Sequence, residues 1–104
     1  MSPGYFLTRA AERDLDRIWD YTAQQRGISQ ADTYLRHIHA ALARLPDFPG
    51  AGRAVDEIRQ GYPVLPIEAH CAFYRVMSDG IEVVRILHGR IDARGKFAGS
   101  KHGE

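Results

Sequence analysis

With 104 residues, 44% of them hydrophobic and 10% aromatic, the chain has material for one core of ordinary domain size and too little for a second. A lone cysteine, Cys71, excludes an internal disulfide framework, and a net charge of +1 from 14 basic and 13 acidic side chains argues against a general polyanion binder. Every apolar run is too short for a membrane span and residues 1–7 lack a secretory leader, so the expectation is a single cytoplasmic domain, with residues 95–104 as a flexible tail.

Tyr5-Phe6-Leu7 is a short β-prone run that ends at Thr8, a residue suited to capping a helix. Ala11, Leu15, Ile18 and Trp19 then fall on one face of a 3.6-residue period, Thr22 extends that face, and Gly27 is placed to close the helix. Ser29 to Asp32 resembles a capping box and opens a second period at Ala31, Tyr34, Leu35, Ile38, Leu42 and Leu45, stopped by Pro46 and Pro49-Gly50. A link of two to four residues would make the two helices an antiparallel hairpin whose apolar stripes need a partner layer.

That layer is expected from Tyr62 to Ala69, Cys71 to Met77 and Ile81 to His88, runs rich in β-branched and aromatic residues. Asp79-Gly80 reads as a two-residue hairpin turn, which sets Tyr74 opposite Arg85, Val76 opposite Val83, Phe73 opposite Ile86 and Arg75 opposite Val84. Pro63 and Pro66 cannot donate to a ladder, so their run is expected to be an edge or bulged strand, with the later two strands central. The fold class is therefore α+β: an N-terminal short strand and a helical hairpin packed on a small antiparallel sheet. Two helices cover one face of such a sheet, and the other apolar face is expected to stay open for a partner.

Catalytic motifs are missing. There is no nucleophile elbow, P-loop, GxGxxG or HExxH pattern, His37 and His39 point apart on helix two, and Cys71 has no sequence-local base. No catalytic residue, metal or cofactor is expected. Charge is unevenly distributed: from Arg85 to Lys101, Arg85, Arg90, Arg94, Lys96 and Lys101 stand against one acid, Asp92. Twelve arginines against two lysines favour forked carboxylate or phosphate contacts. Arg75, Arg85, Arg90 and Arg94 have two readings, ion pairs with Asp92, Glu68 or Glu82, or a guanidinium surface for an acidic partner.

The order strand, helical hairpin, three strands, together with Leu7-Thr8, Pro49-x-x-Gly52-Arg53, Tyr74-Arg75-Val76 and the closing run Arg85-Ile-Leu-His-Gly-Arg-Ile-Asp92, resembles the ParE branch of the RelE/ParE toxins over residues 5 to about 94. Ile91 departs from the Met of many members. The resemblance implies the toxin half of a type II toxin-antitoxin pair: a ParD-like antitoxin neutralises it, DNA gyrase is its target, and DNA is reached only indirectly through the antitoxin. On that reading Trp19, Tyr21, Tyr74, Arg75, Val76 and Val83 are the expected antitoxin-binding residues, and Arg85, His88, Arg90, Arg94 and Lys96 the expected target-binding ones. The alternatives are a RelE-like ribosome-dependent messenger-RNA endonuclease, for which Phe97 lacks the hydroxyl of the tyrosine wanted there and His88 would be the stand-in base, or a binding module that has lost its toxicity.

Overall fold

A computed structural model describes residues 4–54 and 62–89. In chain order it contains β1 (Tyr5–Leu7), α1 (Arg9–Arg26), α2 (Ile28–Ala43), β2 (Arg53–Ala54), β3 (Pro63–Ile67), β4 (His70–Met77) and β5 (Gly80–His88), with a short 3-10 turn at Pro49–Ala51. The strands form one sheet in the order β1-β5-β4-β3-β2. α1 packs on β5 and on α2, which in turn reaches β3. The architecture is the expected α+β arrangement, but the sheet is mixed, because β1 runs parallel to β5 with Tyr5 opposite Ile81 and Leu7 opposite Val83.

α1 starts where its cap predicts. Thr8 Oγ1 accepts the Ala11 amide at 3.0 Å and donates to the Val84 carbonyl at 2.8 Å, so one hydroxyl both caps the helix and ties it to β5. The link to α2 is shorter than expected. Gly27, at φ 96°, ends α1 and also begins α2, which has no side-chain cap; a side chain at that φ would be strained. The Ser29 capping box therefore does not form, and Asp32 instead accepts from Trp19.

The hairpin register differs from the sequence expectation. Met77 pairs with Gly80, leaving Ser78-Asp79 as the two-residue loop, and Tyr74 faces Val83, Arg75 faces Glu82 and Val76 faces Ile81. Gly80 suits this place because β1 runs close by: a Cβ at that position would lie 2.9 Å from the Gly4 carbonyl oxygen. A bulge between Phe73 and Tyr74 then sets Phe73 opposite Arg85 and Ala72 opposite Ile86. An extra residue in one strand shifts the alternation, so Ile81, Val83 and Ile86 all join the core under the helices although they are not evenly spaced.

β3 is not the edge, a second correction. β2 pairs outside it, Arg53 with Val64 and Ala54 with Pro63, and is too short to reach Pro66, which therefore needs no donor on that side. The expected open sheet face is also closed. Ala11, Leu15, Ile38, Leu42, Tyr74, Val83 and Ile86 form the core on the helical side, while Val64, Cys71 and Phe73, at most 1% exposed, form a second cluster with Tyr62 and Leu87. Each fully buried large side chain contributes on the order of 1.5–3 kcal/mol, so closing both faces is the stable outcome.

Candidate partner-binding surface

Two of the expected contact residues belong to the core. Tyr74 and Val83 have no exposed surface, and side chains without solvent access cannot touch a partner directly. Tyr74 holds the loop after α2. Its hydroxyl donates to the Pro49 carbonyl at 2.7 Å and accepts the Gly52 amide at 2.9 Å, which explains why Pro49-x-x-Gly52 and Tyr74 occur in one chain. Burial raises the Tyr74 pKa, so this hydroxyl keeps its proton.

What that loop builds is an apolar rim at the turn end of the sheet. Pro46 and Pro49 on one side and Val76, Met77, Asp79 and Ile81 on the other line a groove of about 360 Å³. In that lining Val76 is 57% and Met77 40% exposed, and Phe48, the chain neighbour of Pro49, is 66% exposed. Solvating large side chains together is unfavourable, and an apolar patch of this kind is the ordinary mark of a partner site. Arg75 stands one residue before Val76 and is already engaged, its guanidinium 2.6 Å from Glu82 on the opposite strand.

Trp19 and Tyr21 lie on the helical side. Trp19 is half-buried and its Nε1 donates to Asp32 at 2.9 Å, joining α1 to α2, whereas Tyr21 is exposed. The six expected antitoxin residues thus do not form one patch: Tyr74 and Val83 are core, Trp19 bridges the helices, Tyr21 is exposed on α1, and Val76 with Arg75 sits at the turn end.

The opposite end of the sheet carries the polar chemistry. Arg85 Nε and a terminal nitrogen donate to the two oxygens of Asp14 at 2.7 and 2.9 Å, and the Ile86 amide donates to the same carboxylate at 2.9 Å. None of the acids named from sequence is its partner. Asp14 was legible in retrospect, because it falls among Ala11, Leu15 and Ile18 on the apolar stripe, where a carboxylate needs a buried cation. His88 is exposed and faces His70 across the hairpin; Tyr34 Oη lies 2.7 Å from His70 Nδ1 and accepts the Ala69 amide at 3.3 Å. His37 meets Glu68 at 3.0 Å. Burial first, then His88, lower the His70 pKa to about 4, and burial raises that of Tyr34. Arg90, Arg94 and Lys96 lie outside the described residues.

The family model for the ParE toxin of the type II toxin-antitoxin system, parDE, matches residues 5–93. The chain belongs to the ParE toxin family. It is 47% identical over 93 residues to Toxin ParE1 of Mycobacterium tuberculosis, covering 88% of this chain and 95% of that one. To Toxin ParE1 of Caulobacter vibrioides it is 38% identical over 90 residues, covering 86% and 93%. A solved structure described as the chromosomal ParDE TA system from P. aeruginosa superposes with a TM-score of 0.72 at 27% identity, over 85% of this chain and 95% of that one. As a ParE toxin, the chain has the strand, helical hairpin and sheet that the sequence motifs suggested. Sequence reasoning missed Phe48 and Met77 as exposed apolar residues. Their only signal was that Phe48 lies between two prolines, past the end of the α2 period, and that Met77 directly precedes the turn.

Proposed function

We propose that this ParE toxin acts by binding, inhibiting DNA gyrase, and that a ParD-like antitoxin neutralises it by laying an amphipathic segment against the turn-end rim of Phe48, Val76 and Met77. The observation that carries the reading is the family match across residues 5–93; the solved relative described as a ParDE system supports an antitoxin partner. The exposed rim supplies the apolar contact that a segment folding on binding requires to offset its ordering. The positive C-terminal stretch, Arg90, Arg94 and Lys96, is the target-facing element of this proposal. Arg85 is removed from it, because its fork is spent on Asp14. Binding rather than bond cleavage is favoured by the hydroxyls on hand: burial keeps the Tyr34 and Tyr74 hydroxyls protonated, which leaves them poor general bases.

The test is tightly controlled expression of the chain, followed by assays of plasmid supercoiling and of messenger-RNA integrity, and by a supercoiling assay with purified gyrase. Loss of gyrase activity with intact messenger RNA is expected. Codon-linked cuts with normal supercoiling would replace this reading by the ribonuclease one, and absence of any growth effect by the non-toxic module.

A further inference from the structure

The polar end of the sheet holds two imidazoles on directly opposed residues. His70 and His88 form the last cross-strand pair of β4 and β5, their ring centres 5.2 Å apart and their planes at 84°. An imidazole nitrogen sits about 2.0–2.1 Å from a zinc ion, which puts the ring centre roughly 3.2 Å from it. Two such rings at a tetrahedral angle have centres about 5.2 Å apart. The observed spacing fits two ligands on one ion, as it also fits an edge-to-face ring pair.

Orientation is prepared on one side. Tyr34 Oη occupies His70 Nδ1 and is itself held by the Ala69 amide, so His70 Nε2 is the nitrogen left to bind. A hydrogen bond to the non-ligating nitrogen is how metal-binding histidines are usually fixed. The rings now stand edge to face, and His88 is exposed with no hydrogen bond to either nitrogen among the described residues. A shared ion would require that one ring to turn a nitrogen toward His70 Nε2. Immediately beyond, the Gly89 amide donates to the Ala69 carbonyl at 2.8 Å, anchoring the backbone from which both rings project.

We infer that His70 and His88 form a site for a divalent transition-metal ion of the zinc class, oriented by Tyr34 and completed by water. Among the described residues no group of three or more metal-ligating side chains converges, so these residues supply two ligands to the site. Imidazole donors suit zinc, copper and nickel rather than magnesium or calcium. Bound there, the ion would staple the end of the hairpin beside the point where the chain leaves the sheet toward Arg90, whatever the protein's cellular target.

The experiment is calorimetric titration of Zn²⁺ into the chelator-treated full-length chain, with the histidine ring protons followed by NMR. One site is expected, with the ring signals of His70 and His88 moving together. Affinity should fall at least tenfold in His88→Ala and in His70→Ala, by roughly tenfold in Tyr34→Phe, and stay unchanged in His37→Ala. His88 is exposed, so its variant decides the matter even if the His70 variant does not fold. Absence of binding to the native chain, or native affinity in His88→Ala, would overturn the inference.

Discussion

Arg85 on β5 grips Asp14 on α1 with a two-pronged contact, and the same carboxylate accepts the Ile86 amide, so a single buried acid joins helix, side chain and strand edge. Beyond Leu7 the strand β1 no longer pairs with β5, and Thr8 and then Asp14 take over the bonds that a neighbouring strand would otherwise make.

Replacing Asp14 by Ala should therefore cost about 1–3 kcal/mol, since it leaves the buried Ile86 amide without its acceptor and unpairs a guanidinium that is partly open to water. Urea unfolding of the two proteins measures it. A loss under 1 kcal/mol would mean that water substitutes for the carboxylate. Any loss of toxicity in Arg85→Ala should track its loss of stability.

Tyr74→Phe removes two hydrogen bonds and leaves the Gly52 amide without its acceptor. The expected cost is about 1–3 kcal/mol, together with faster hydrogen exchange at Gly52. Gly52→Ala should act on the same latch from the other side, because the added carbon would lie 2.5 Å from the Tyr74 hydroxyl.

Acid should weaken the metal-free chain through His70. Its pKa is lowered from 6.5 to about 4, chiefly by burial and next by His88, so between those values the unfolded chain holds a proton that the folded chain does not. Stability is full above pH 6.5, declines as pH falls toward 4, and is level below. Allowing for solvent around a partly exposed ring, the loss is ~1–2 kcal/mol. Denaturant midpoints measured with chelator present should show a smaller decline over this window in His70→Gln.

At the turn end, Val76→Glu with Met77→Glu should weaken binding of the cognate antitoxin at least tenfold while changing stability by no more than about 0.5 kcal/mol. Calorimetry against the antitoxin, beside urea unfolding, separates the two effects. Unchanged affinity would move the antitoxin to another surface.

Charge reversal at Arg90 and Arg94 should relieve toxicity and leave antitoxin affinity nearly intact, as read from growth on induction and from the same calorimetry. Undiminished toxicity would remove the C-terminal stretch from the target-facing role.

Local signals were enough to place both helices and the strands β1, β3, β4 and β5, because capping hydroxyls, 3.6-residue periodicity and β-prone runs act over a few neighbouring residues. Thr8, Gly27 and the stripe from Ala31 to Leu45 could be read that way, and so could the ParE-like motifs. Tertiary structure alone decided the rest. The hairpin register included a bulge between Phe73 and Tyr74 that no local pattern marks, the partner of Arg85 lay 71 positions away, and two-residue β2 had too little length to leave a pattern. Which apolar residues stayed exposed was likewise undecided by hydropathy, since Val76 and Val83 are the same side chain and only the packing around them makes one a surface and the other core.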